Sequence, residues 1–281
     1  QPAIVLMEAC GSAHHWGRRF QELGHRVVLM PPHAVRPYVP RNKTDRADAK
    51  GLLEAYRNDE ILPVPVKTID QQTVTALHRL RSAWMSARTA RLNTLRGILR
   101  EFGVTIPVGA RNVLPHVEAI LSDEKSSISP LLAPSLAAAC AEIDTLEERI
   151  EGVERQLVAL SRQFPLISRL MTIPGIGLLT ATALFAFVGD THRFPSGRHF
   201  ASFLGLTPRE RSSGSKRRLG RISKKGDTYL RMLLIHGARS VLLGASRSEP
   251  HDRLRTWALE IQNRRGHNKA AVALANKIAR R

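Results

Sequence analysis

AIVLMEACGSAHHWGRRFQELGHRVVLM, residues 3–30, is the stretch that decides the fold. Residues 3–9 read as a short buried strand that ends in an acid, Glu8. Gly11 and Ser12 turn the chain into a helix over about 13–23, and Gly24 closes it. A second strand, RVVLM at 26–30, is stopped by Pro31-Pro32. Strand, helix and strand at this spacing predict a right-handed βαβ crossover with a parallel pair.

Downstream, residues 33–44 form a basic connection, and a helix follows over about 45–57. Thr44 suits its N-cap, and Asp45 lies in the first turn, where the helix dipole favours negative charge. ILPVPV at 61–66 is extended, because its prolines exclude both helix and central strand. From Gln71 to Arg100 there is no acid, while Arg79, Arg81, Arg88, Arg91, Arg96 and Arg100 alternate with apolar residues. This predicts a long amphipathic helix with a cationic face, and the lack of acids favours contact with a nucleic-acid backbone over a solvated face. Residues 103–130 read as irregular. A second long helix over about 135–163 places Leu136, Ile143, Ile150 and Leu157 at one heptad position and Ala139, Leu146, Val153 and Leu160 at the other. Four heptads predict a coiled coil, whose partner is either the 71–100 helix folded back or the same helix of another subunit.

TIPGIGLLTATALFAFVGD, 172–190, puts Pro-Gly-Ile-Gly before an apolar helix, as in a helix-hairpin-helix. There Gly175 and Gly177 would offer backbone N–H groups to a phosphate. A short helix over about 196–204 leads into GLTPRERSSGSKRRLGRISKKGDTYLR, 205–231. That run holds Arg209, Arg211, Lys216, Arg217, Arg218, Arg221, Lys224, Lys225 and Arg231 around a small Ser-Ser-Gly, with only Glu210 and Asp227 opposing them. A hydroxyl held among such cations sits where a phosphodiester docks. The alternative is a solvated basic loop with a turn serine. The helix at 227–243 is apolar on most faces and belongs to the core. The tail beyond Glu260 carries six Lys or Arg and no acid, with one small amphipathic helix around Ala271, Leu274, Ala275 and Ile278.

The whole chain has 281 residues, enough for about two domains, and 43 Lys and Arg against 24 Asp and Glu, a formal charge of +19. Such an excess points to an anionic partner. No apolar run reaches transmembrane length and no signal peptide is evident, so nucleic acid is preferred to a membrane. Cys10 and Cys140 offer neither zinc spacing nor a disulfide framework, which fits a reducing cytoplasm. Glu8 at a strand end, with Asp45 and Asp48 three apart on a helix, are hard oxygen donors suited to Mg²⁺ at the sheet's C-terminal edge. Singly, each reads as a surface or dipole-stabilising acid; together with the basic half, they favour metal at phosphate.

Three blocks resemble one family: MEACGSAHHWGRRFQELGHRVVLMPP, NKTDRADAKGLLE, and IPGIGLLTATALFAFVGD with RFPSGRHFASFLGLTPRERSSGSKRRLGRISKKGDTYLRMLL. Over nearly the whole chain they are similar to DEDD-type transposases of bacterial insertion sequences, the bridge-RNA-guided serine recombinases. The resemblance implies an α/β plus all-α fold. A partial RuvC-like, RNase-H-type domain would occupy 1–66, a coiled-coil spacer 67–165, and a helical transposase domain 166–281. It implies that Glu8, Asp45 and Asp48 are the second, third and fourth acids of a Mg²⁺ site. The first acid would stand on a strand upstream of Gln1. It further implies that Ser213, with Ser212 as the adjacent alternative, attacks DNA.

The expected function is therefore DNA transposition by Mg²⁺-assisted serine attack on a phosphodiester. The expected partners are double-stranded DNA, a structured guide RNA and further copies of the chain, as a dimer or tetramer. Arg79, Arg88, Arg91, Arg209, Lys216, Arg217, Arg218, Arg221, Lys224 and Lys225 would hold the nucleic-acid backbones. With a coiled coil between them, the acids and the serine are expected to meet across subunits. Two other classes stay open: a non-catalytic nucleic-acid-binding protein, and a nuclease that hydrolyses junctions with metal alone.

Overall fold

The computed structural model describes residues 1–39, 44–123, 126, 128–247 and 252–281. Residues 40–43 of the basic connection lie outside the described residues. Twelve α-helices and four strands are found among those described, divided between two compact units: 1–73 with 166–281, and 74–165.

In the first unit, β1 (Ile4–Glu8) and β2 (Arg26–Met30) pair in parallel, with Ile4 opposite Arg26 and Glu8 opposite Met30. The crossover is α1 (Ala13–Glu22). Among the described residues β1 pairs with β2 alone; its middle residues Val5, Leu6 and Met7 are half-buried and Ile4 is 53% exposed, so the strand read as buried is only partly covered. Only β2 is sunk in the core, where Val28 and Met30 pack with Val35 and Ala55 against Leu6, Leu52 and Tyr56. The residues after β2 also hold more structure than a bare connection. They form α2 (Pro32–Val35), which tolerates Pro32 at its first position because that N–H has no helical acceptor, and a 3-10 turn over Arg36–Tyr38. Then α3 (Asp45–Arg57) packs on both strands, and Thr44 Oγ1 accepts from the Ala47 N–H at 3.2 Å, as the cap reading expects. Val64 adds an antiparallel bridge to Leu29 on β2, its N–H donating to the Leu29 carbonyl at 2.7 Å.

The second unit is helical. It takes in most of α4 (Ile69–Glu101), all of α5 (Val113–Ser122), and α6 (Ala133–Ser161). The irregular reading of 103–130 missed α5, in which Pro115 is harmless because it lies in the first turn. Leu92, Leu95 and Leu99 pack with Val113, Val117, Leu136 and Ile143. Arg81 pairs with Glu154, Arg88 with Glu147 and Arg91 with Glu142, at 2.7, 2.5 and 2.8 Å. Numbers rise on α4 as they fall on α6, so the helices run antiparallel within one chain. The α6 seam buries Leu136, Ile143, Ile150 and Leu157 as expected, but Cys140 and Ser161 are buried where Ala139 and Leu160 were expected and these two are only half-buried. A helix of 3.6 residues per turn drifts against a strict seven-residue repeat, so the ends of the stripe shift by one residue.

The first unit is completed by α7 (Pro165–Met171), α8 (Leu178–Val188), α9 (Gly197–Phe203), β3 (Pro208–Glu210), β4 (Leu219–Ile222), α10 (Thr228–Ala245), α11 (Arg253–Arg265) and α12 (His267–Ala279). Here α10 packs on α8, α11 and α12, burying Leu230, Leu234, Leu242, Leu274 and Ile278. Arg193 Nη1 donates to the Pro63 carbonyl at 2.8 Å and Gln71 Nε2 to the Phe185 carbonyl at 3.2 Å. The first bond ties the α/β layer, and the second the start of α4, to the C-terminal part of this unit. No helix among the described residues is long and apolar enough to cross a membrane.

Candidate active site

The basic stretch is a β-hairpin arm. β3 and β4 are antiparallel, with Pro208 opposite Ile222 and Glu210 opposite Leu219 across an irregular step. Pairing resumes beyond them, where the Arg211 N–H donates to the Arg218 carbonyl at 2.9 Å. Ser213 and Lys216 then exchange two backbone bonds of 3.3 Å. Gly214 and Ser215 therefore form the two-residue turn, and Gly214 takes the positive φ (+56°) that such a turn requires. Ser213 stands at the tip of the arm, and every residue from Arg209 to Arg221 is exposed.

The turn separates its two serines. Ser212 Oγ donates to Glu210 Oε1 at 2.6 Å and accepts from the Arg218 N–H at 3.1 Å. Glu210 also faces Arg217 Nε at 3.4 Å. The Ser212 hydroxyl first, and the Arg217 charge after it, hold the Glu210 carboxyl below the usual carboxylate range. Ser213 makes backbone bonds only, and its hydroxyl has no hydrogen-bond partner among the described residues.

The cations of this stretch differ in the same way. Arg209 spans the arm, donating to the Ser223 carbonyl from Nε and Nη2 at 3.3 and 3.1 Å. Lys216, Arg218, Arg221, Lys224 and Lys225 are exposed and in no ion pair among the described residues. Arg231 is not a surface cation: it is 7% exposed, and its guanidinium donates to the Leu204 carbonyl and Thr228 Oγ1 at 3.1 and 3.2 Å. It ties the first turn of α10, which follows the arm, to the end of α9. There a Cβ on Gly226 would lie 1.9 Å from the Phe203 carbonyl oxygen, so only glycine allows the approach.

Of the hairpin glycines, Gly175 lies against α10. A Cβ on Gly237 would stand 1.8 Å from the Gly175 carbonyl oxygen, so that loop is packed on protein backbone. Gly177 is exposed at the N-cap of α8. On α4, Arg79 is exposed with no ion pair among the described residues, whereas Arg88 and Arg91 are paired with α6 acids. Arg96 donates to the carbonyls of Ile106, Pro107 and Gly109. The acid-free face of α4 thus finds its counter-charges on another helix, so missing acids alone do not mark it as a nucleic-acid surface. Glu8 is exposed at the end of β1. Asp45 is exposed and Asp48 half-buried in the first turn of α3. No three His, Cys, Asp or Glu side chains gather as a metal site among the described residues.

Residues 1–104 match a family model described as a DEDD transposase of IS110 type, and residues 167–253 match one described as Transposase IS116/IS110/IS902 family. A probable family 20 transposase of Pseudomonas aeruginosa is 44% identical, the match covering 99% of this chain and 82% of the relative. The chain belongs to the IS110/IS116 family of transposases. A transposase for insertion sequence element IS1111A of Coxiella burnetii is 40% identical over 98% of this chain and 75% of its own length. One for IS1328 of Yersinia enterocolitica is 38% identical over 99% and 82%. Family membership supports a role in transposition and a DNA substrate, and DEDD transposases typically use a divalent metal ion. Sequence reasoning missed the part of Glu210, whose one visible trace was an acid two residues before the serine pair in an otherwise basic run.

Proposed function

We propose that this IS110-family transposase cuts and rejoins DNA with Ser213 as nucleophile. The observation that carries the reading is the contrast at the arm's tip, where Ser212 is bonded both as donor and as acceptor while Ser213 offers a free hydroxyl among exposed cations. In the proposed step the Ser213 Oγ–P bond forms and the P–O bond to one deoxyribose breaks. The serine proton passes to solvent, and the leaving sugar oxygen takes one up. The phosphoserine ester conserves the bond energy, so attack by another strand's hydroxyl releases the serine and rejoins DNA without external energy.

Lys216, Arg218, Arg221, Lys224 and Lys225 neutralise phosphates along the arm, the exposed Arg217 joins them on leaving Glu210, and Arg209 stiffens it. On α4, Arg79 and Arg100 are exposed and in no ion pair among the described residues, and both can do the same. Arg88 and Arg91 would have to surrender their carboxylates first, so we assign them to the helix pair. Residues 1–66 would be the RuvC-like layer carrying Glu8, Asp45 and Asp48, 67–165 the spacer, and 166–281 the transposase domain. Those three acids have the oxygen chemistry a divalent cation takes, but as folded they do not form a site for one, and the proposal stands on the arm. A guide RNA and assembly into oligomers belong to the same reading, on the strength of the resemblance. Acids and serine both lie in the first unit, so the intervening helices do not by themselves force them to meet across subunits.

The test is strand cleavage by the complete transposase. Ser213→Ala should lose cleavage while keeping DNA affinity and the fold. Normal cleavage by Ser213→Ala would overturn the assignment and favour hydrolysis without a covalent step.

A further inference from the structure

A cleft of about 860 Å³ opens where the base of the arm faces α12. Pro208 and Ile222 of the hairpin form one wall, and Val272 and Ala273 of α12 the other. Trp257 of α11 also lines it. Among the described residues, those that line the cleft include four cations, Arg221, Lys269, Lys277 and Arg280, and no carboxylate. None of the four is in an ion pair among the described residues. Lys277 Nζ lies over the Trp257 ring, 3.9 Å from its centroid. Asn276 Nδ2 donates to the Leu206 carbonyl at 3.2 Å, tying α12 to the foot of the arm.

The occupant must be anionic and also present an apolar, stackable body, because the cations surround an aliphatic and indole interior. A phosphate alone would satisfy the cations and leave that interior wet; an acidic peptide would do much the same. A nucleotide satisfies both, and the volume lies within the range of small-molecule pockets. We propose that this cleft takes one unstacked base of the nucleic-acid strand held by the arm, stacked on Trp257, with Lys277 displaced from the ring toward the adjoining phosphate. Five residues of extended chain, roughly 17 Å, separate Pro208 from Ser213. The base in the cleft is therefore several nucleotides from the phosphate at the tip. It anchors the strand at a fixed distance from the hydroxyl. This inference rests on the arm's role in holding a strand, and not on the serine chemistry.

The probe is oligothymidylate, compared with an abasic oligomer of the same length and charge. In the complete protein, Trp16→Phe and Trp84→Phe remove the other two of the three indoles in these 281 residues, and the part of the quench lost on Trp257→Phe is assigned to Trp257. Oligothymidylate should quench Trp257 and bind about tenfold more tightly than the abasic oligomer, as expected for stacking of a single base. Ala273→Leu narrows the cleft at its α12 wall, one turn from Lys277, without removing any side chain that the fold uses. It should abolish the quench and bring the two ligands within about twofold, with salt dependence unchanged. Equal binding of the two oligomers, or a quench that survives Ala273→Leu, overturns the cleft proposal alone. Failure of both oligomers to bind at low salt overturns the strand-holding arm and the cleft with it.

Discussion

Ser212 and Ser213 carry the same hydroxyl, and the turn gives them different work. Ser212→Ala removes the donor to Glu210 and the acceptor for the Arg218 N–H. Both groups are exposed, so water can replace the lost bonds and the arm should loosen without unfolding. Cleavage should fall by about tenfold, the range of one net hydrogen bond, with the point of attachment unchanged. A Ser212→Ala enzyme without any cleavage would mean that the nucleophile had been misassigned by one position. His78 sets a pH response of its own. It is 1% exposed on α4, and burial first, with the nearby Arg81 charge second, lowers its pKa from 6.5 to about 4. The unfolded chain binds a proton at this residue that the folded chain refuses. Its contribution is therefore complete above pH 6.5 and lost as pH falls toward 4, by about 3 kcal/mol in all. Denaturant titrations at about pH 7.5 and 4.5 should show this drop, and His78→Leu should make it smaller.

Among the elements, the α4–α6 pair depends on its apolar seam more than on its ion pairs. Ile150→Asp buries an uncompensated charge at a 7% exposed position and should cost at least about 3 kcal/mol, read as a lower melting temperature. Glu147→Ala removes a partly exposed partner of Arg88 and should cost about 1 kcal/mol or less. Gly237→Ala forces α10 from the Gly175 loop and should cost about 1–3 kcal/mol although it adds only a methyl group. Much of this level was legible in the chain. The parallel pair, the Thr44 cap and the long helices follow from local spacing and capping chemistry. The hairpin arm was not, because strands exposed on both faces carry no apolar alternation, and an Arg-rich run reads as loop. The Arg81–Glu154 pair and the Gly175–Gly237 contact were hidden for another reason: 73 residues separate one pair and 62 the other, and nothing local announces either. At the site, the serine pair and its cations were readable as a group. The hydrogen bonds that distinguish Ser212 from Ser213 depend on the turn and were not.

For the whole molecule, a net charge of +19 predicts DNA binding that weakens steeply with salt. The arm and the α4 face should differ. Replacing Lys216 or Lys225 by Ala should each lower the log–log salt slope by about 1. Arg88→Ala should leave the slope nearly unchanged, because its charge is already matched by Glu147. Equal effects at all three positions would contradict the division of cations drawn from the structure. Ser213 as nucleophile is the central claim, and mass spectrometry of the trapped covalent complex tests it most directly. The complete transposase is quenched during cleavage, digested with protease and nuclease, and the peptide that carries a nucleotide remnant is sequenced. The phosphoester is predicted on Ser213 Oγ, at the tip of the arm. Attachment at Ser212 or any other residue, or cleavage with no attached peptide, would contradict that assignment.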